Sequence, residues 1–177
     1  MRRVVTGIDS AAKSVFTRDD QSPHYIAMGN FQMGELWWDP AAKISAGDLD
    51  HAEGKVGAVP ALGEALMRYV VFPPRAEMEA MMASAQEQAP NHADEDSPSD
   101  QVSDDFQLEE DNPGMHTTET VDYGFVLEGE LTLELDDGVK KLLKAGDSYI
   151  QNGTRHAWHN ASDARAVLGV VMVGAER

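Results

Sequence analysis

Cysteine is absent from the 177 residues, which excludes disulfides, thiolate metal ligands and a cysteine nucleophile. No apolar run approaches the roughly 20 residues that a membrane-spanning helix needs. The opening stretch MRRVVTGIDSAAK has no long apolar segment behind its two arginines, so no signal peptide is expected. A soluble, cytoplasmic protein is the expectation. Positive charge is also missing over a long interval: between Ala76 and Val139 there is no lysine or arginine, against 19 acids. That segment outweighs the whole net charge of −17, and the rest of the chain is about neutral. Nucleic acid is a poor partner for such a chain, because phosphate binding needs clustered basic residues. An anionic membrane surface is disfavoured for the same reason.

What remains reads as short strands. The length suits one domain with a full core. Residues 2–8 and 13–17 are strand-like and separated by a turn at Asp9 and Ser10. A loop over Asp19 to His24 leads to a third run, Gly34 to Trp38, whose adjacent Trp37 and Trp38 must face opposite ways on a strand. Ala41 to Leu62 lacks periodicity and reads as loop, whereas Ala65 to Phe72 (ALMRYVVF) reads as a buried strand stopped by Pro73-Pro74. Arg75 to Gln88 is rich in helix formers, with Met78, Met81, Met82 and Ala85 at helical spacing and Pro90 beyond its end. This methionine face suits either packing on the outside of a barrel or at a dimer seam, or covering the mouth of the barrel as a lid. Asn91 to Asp111 is too acidic and too poor in apolar residues to offset its ordering entropy, so a solvated loop is expected.

The stretch from Gly114 to Asn160 carries the chemistry. His116 and Asp122 lie six residues apart, an even spacing that puts both side chains on one face of an extended strand. His156 follows later turns and can return to that face in an antiparallel sheet. Two imidazoles and a carboxylate are a usual ligand set for a divalent transition metal: iron, manganese, nickel or zinc. The competing reading leaves them as hydrogen-bonded polar groups of a metal-free pocket. Glu130 to Leu135 alternates, with Leu131, Leu133 and Leu135 toward the core, before an Asp-Gly turn at Asp136 to Gly138. Arg165 to Val173 is a continuous apolar run, as for a strand buried on both sides. Many short strands with regular turns favour a small antiparallel β-barrel, and closure would remove its edges.

The same stretch resembles the cupin superfamily. Its first motif, G-x5-H-x-H-x3/4-E-x6-G, places Gly129 at the final glycine, Asp122 at the acidic position, and His116 and Thr118 at the two histidine positions. Its second, G-x5-P-x-G-x2-H-x3-N, is matched by Gly146, His156 and Asn160, with Asn152 at the proline position and Gly153 one residue early for the strict pattern. Threonine thus stands for one histidine and aspartate for glutamate. The resemblance implies a single all-β cupin barrel (a jelly roll, or double-stranded β-helix) across residues 1–177. Strands would fill 1–75, an inserted helix and acidic loop 76–113, and the motifs 114–174. It implies a metal-dependent small-molecule enzyme of the oxygenase, decarboxylase or cyclase kind, acting on a carbonyl- or carboxyl-bearing compound. The alternative is a non-catalytic binding barrel. The expected ligands are His116, Asp122 and His156, the same three are the expected catalytic groups, and Thr118 and Arg155 are the expected substrate contacts. One divalent metal and a homodimer complete the expectation.

Overall fold

The structure is a computed structural model that describes residues 1–41, 50–88, 107–109 and 112–176. The chain runs β1 (Arg2–Ile8), β2 (Ser14–Gln21), β3 (Tyr25–Met28), β4 (Phe31–Asp39), β5 (Ala65–Phe72), α1 (Arg75–Gln88), β6 (Gln107–Glu109), β7 (Asn112–Thr117), β8 (Thr120–Glu128), β9 (Glu130–Glu134), β10 (Lys140–Lys144), β11 (Ser148–Asn152), β12 (Ala157–His159) and β13 (Ala166–Gly174). A six-stranded sheet, β11-β8-β13-β5-β4-β3, forms one wall. The three-stranded sheet β10-β9-β12 lies across from it, and the pairs β1-β2 and β6-β7 stand apart. Every named strand pair is antiparallel. The all-β class and the lone helix agree with the sequence. Closure does not: the described ladders form separate sheets rather than one continuous barrel.

The core lies between the two walls. Val70 and Phe72 of β5, Val126 of β8 and Leu168 of β13 meet Leu131 of β9 and Leu143 of β10. Each such side chain contributes about 1.5–3 kcal/mol through apolar burial. A second cluster sets Trp38 among Ala52, Leu66, Val170 and Met172. Trp38 is buried and Trp37 only half-buried, as alternation requires. β13 sits centrally, between β8 and β5, and is buried along most of its length. Its Val171 is exposed, however, so the outward face of this strand is only partly covered.

Several sequence expectations are corrected. The first hairpin is longer than expected, because β2 continues through Asp19 to Gln21 rather than ending in a loop. Its anchor is the buried Arg3, which pairs with Asp20 at 2.7 Å and Asp50 at 2.6 Å and donates to the Leu36 carbonyl. β3 is too short and irregular in sequence to have been expected. Gln107–Glu109 pairs with β7, so this part of the acidic stretch is a strand; the rest of Asn91 to Asp111 lies outside the described residues. Leu135 lies past the end of β9 and is exposed, while Leu131 and Leu133 pack inward.

The helix has the bounds expected for it. It starts where the Asn160 amide donates to the Pro73 carbonyl at 2.8 Å and the Arg75 amide donates to the Ser162 carbonyl. The motif asparagine therefore fixes the point at which the chain leaves β5.

Candidate functional site

Between the walls lies a cavity of about 310 Å³, at the small end of ligand pockets. Its floor is polar and its rim is apolar. Inward positions on β8 alternate: Thr120, Asp122, Gly124 and Val126 are buried, while Tyr123, Phe125 and Leu127 point out. His116 is not on this strand: it lies on β7, the extended run breaks at Thr118 and Glu119, and the two side chains border the cavity from different strands rather than by the alternation of one. Gly124 is needed there because the Tyr149 ring, from its register partner on β11, lies where a β-carbon would stand. Tyr149 in turn meets Trp158 edge-on at 4.8 Å, and the two rings wall one side of the cavity.

His116 and His156 form an isolated antiparallel bridge, each backbone amide donating to the other's carbonyl at 2.9 Å. Directly opposite residues share a face. The two imidazoles accordingly stand with ring centroids 4.2 Å apart and both line the cavity. Each ring is oriented from behind: Nδ1 of His116 donates to the Gly114 carbonyl and Nδ1 of His156 to the Thr154 carbonyl, both at 2.9 Å. With the proton on Nδ1, the lone pair resides on Nε2, the arrangement that ligating histidines use. The Thr154 carbonyl is itself held by the amide of buried Gln151, which also bonds the Thr154 hydroxyl. Gly153 permits this loop, with φ of +57° and the Thr118 carbonyl 3.1 Å from where a β-carbon would sit.

Burial sets the electrostatics. It lowers the His116 pKa, and with the nearby His116 ring it pushes His156 down to about 4, so both rings are neutral at pH 7. It pushes Asp122 up to about 6, against the opposing pull of Thr120 and of the Arg68 charge. Burial and the Asp122 charge also raise Tyr149. Oδ1 of Asp122 is buried with no hydrogen-bond partner among the described residues. An orphaned carboxylate oxygen in a cavity shared with two oriented imidazoles fits a divalent transition metal, which would satisfy it. As they stand, though, no three His, Asp or Glu side chains among the described residues gather tightly enough to hold an ion.

Thr118 is buried, lines the cavity and shares a 2.9 Å hydrogen bond with the Thr120 hydroxyl. Arg155 does not line the cavity; its guanidinium pairs with Asp136 at 2.8 Å outside it. His159 pairs with Glu134 at 2.7 Å. The arginine that does reach the cavity is Arg68 of β5, bound to Glu35 of β4. Sequence reading passed over both. The available signal was a lone charge inside each of two apolar runs, ALMRYVVF and GELWW. The helix also belongs to the site, since Met78 and Met82 line the cavity. The methionine face thus borders its mouth rather than the barrel exterior.

The cupin domain family (Cupin_2) matches residues 106–173. The chain carries a cupin domain. His116, Asp122, Gly153 and His156 all fall within the matched range. A 50-residue stretch is 54% identical to the oryzines biosynthesis cluster protein J of Aspergillus oryzae, covering 28% of each chain. A cupin-domain-containing oxidoreductase of Hypocrea virens is 38% identical over 58 residues, 33% of this chain and 30% of that one. The chain therefore matches less than a third of the length of either relative. Among solved structures, an RmlC-like cupin from Shewanella frigidimarina aligns over 89% of this chain and 87% of its own, with 15% identity and a TM-score of 0.44. Among the described residues, no helix is long and apolar enough to cross a membrane.

Proposed function

We propose that this cupin is a metal-dependent enzyme acting on a small carbonyl- or carboxyl-bearing compound, of the oxygenase, decarboxylase or cyclase kind. His116 and His156 would supply the nitrogen ligands, and Asp122 the carboxylate, of one divalent transition metal. The observation that carries this is the pair of imidazoles oriented through Nδ1 at a buried floor, with a carboxylate oxygen in the same cavity that has no partner among the described residues. The names of two relatives, a biosynthesis cluster protein and an oxidoreductase, accord with small-molecule chemistry.

When bound, the metal would polarise a carbonyl or enolate-forming group, or support dioxygen chemistry. The chain's own residues do the rest. Asp122 is the carboxylate placed to take or give a proton at the substrate. Thr118 offers a hydroxyl to a substrate oxygen. Tyr149, Trp158 and the methionines of the helix keep water from the floor. A homodimer, with copies meeting on the outward face of the large sheet, belongs to the same reading.

Elemental analysis of full-length protein purified without chelator tests it. About one metal per chain is expected, lost on combined His116→Ala and His156→Ala substitution. The second reading, a metal-free binding barrel, draws on the lack of a gathered three-residue ligand set among the described residues. It prevails if the wild type carries no metal and takes none up.

A further inference from the structure

The polar floor holds one cation besides any metal, and that cation is turned toward the cavity. Arg68 is 3% exposed and Glu35 is 0% exposed. Oε1 of Glu35 accepts from Arg68 Nε at 2.8 Å, lies 2.7 Å from Nη2, and accepts from the Gly57 amide at 3.1 Å. Nη2 also donates to the Ala58 carbonyl at 2.6 Å. One edge of the guanidinium is thus fully engaged. The remaining nitrogen, Nη1, bears two N–H groups and among the described residues meets only the thioether of Met172, a weak acceptor 3.8 Å away. A buried guanidinium with an edge left to a sulfur is an under-used donor in a low-dielectric site.

The surroundings say what would fill it. Met172, next to Nη1, is the register partner of Asp122, so the arginine looks onto the same floor as the candidate ligands. The opposite end of the cavity is apolar: Ile26, Met28 and Met82 line it, with Met28 52% and Met82 47% exposed at the rim. Charge on the floor also balances. Glu35 cancels Arg68, and a divalent ion beside the Asp122 carboxylate leaves one positive charge, which a monoanion would neutralise.

We propose that Arg68 anchors the carboxylate of a small, mostly apolar acid, with Nη1 taking the carboxylate and the apolar tail running out between Met28 and Met82. This rests on the reading of a metal-dependent enzyme and names its substrate class. Arg68 binds substrate here, and Glu35 is a positioning residue that fixes the angle of the guanidinium.

The test is calorimetric titration of 3-phenylpropanoate and of 3-phenylpropanamide into the zinc-loaded full chain. A charge-assisted hydrogen bond predicts that the acid binds about tenfold to a hundredfold more tightly than the amide. The double variant Glu35→Gln with Arg68→Met removes the buried pair together, which avoids stranding one charge. It should lose that preference, acid and amide then binding alike, a selectivity that a merely structural role would not move. Equal binding of acid and amide by the wild type overturns the proposal, as does the absence of acid binding. A preference that survives in the double variant also overturns it, because the metal alone would then be reading the carboxylate. If the variant does not fold, a crystal structure of the wild type with the acid decides, Nη1 lying within about 3.2 Å of the carboxylate or not. If the wild type takes up no metal, the enzyme reading fails separately. The same titration with metal-free Asp122→Asn protein, whose floor is uncharged overall, then tests Arg68 alone: preference for the acid supports the anchor and equal binding overturns it.

Discussion

His116 and His156, forty positions apart in sequence, exchange both backbone hydrogen bonds at 2.9 Å and bring their rings to 4.2 Å between centroids. The backbone pairing presents both side chains to one cavity before any ligand arrives. Replacing the two rings with alanine should therefore remove metal binding without dissolving the bridge, which is made by main-chain atoms. At a metal concentration a thousandfold above Kd, mass action stabilises the wild type by about 4 kcal/mol. For a chain of this size that raises Tm by about 8–16 °C. The double variant should show no shift with added zinc, manganese or iron; an equal shift would place the metal elsewhere.

Asp122 makes the metal-free protein sensitive to pH. Its folded pKa of about 6 lies above the ordinary carboxylate value, so the folded state holds the proton more tightly. The contribution to stability is fully present below the unfolded pKa, near 4, and is lost as pH rises through 6. His156, pushed down to about 4, acts the other way: its contribution is lost as pH falls from about 6.5 toward 4. Comparing Asp122→Asn with wild type isolates the carboxylate. Without metal, the variant should be more stable than wild type at pH 8, by up to about 3 kcal/mol, and nearly equal at pH 4. Urea titrations at the two pH values measure this. With metal added, the order should reverse.

How much of this was legible follows from where the information sits. The even spacing suggested one strand carrying both His116 and Asp122, but the extended run breaks at Thr118 and Glu119, so the two reach the cavity from β7 and β8. The turn glycines and His156 followed from a motif whose members lie close in sequence, on the turns at either end of β11. Arg68 and Glu35 were not legible, because each becomes meaningful only through a partner 33 positions away on the next strand. Arg155 was misplaced for a related reason: standing next to His156 does not set direction in a loop, and Asp136, from a distant turn, draws the guanidinium outward. Gln107–Glu109 hid inside an acidic composition because pairing with β7, rather than its own propensity, makes it a strand.

Trp38 should be the costlier of the two adjacent tryptophans to lose. It packs in the second cluster with Leu66 and Met172, with Lys55 Nζ 4.1 Å from its ring centroid. Trp38→Ala should destabilise the chain by about 3–5 kcal/mol. Trp37→Ala, on the half-buried side, should cost less than half as much. The midpoints of denaturant unfolding settle the order.

Ile150, Tyr123, Val171 and Met67 are register partners in sequence across β11, β8, β13 and β5, and all four are exposed. An uncharged row across four strands is the face on which two strongly acidic copies can meet with least repulsion, sheet against sheet. The full chain should elute at twice its 19.3 kDa mass. Tyr123→Glu should return it to a monomer with the cavity intact. Elution of the wild type as a monomer would remove this expectation.

The graded lining of the cavity has a kinetic corollary. A solute must shed its hydration among thioethers before any charged group can compensate it, so recognition occurs in series rather than at once. Small hydrophilic acids would stall at the entrance despite carrying the right head group, and greasy neutral molecules would enter but leave quickly. Only a compound with both qualities lingers.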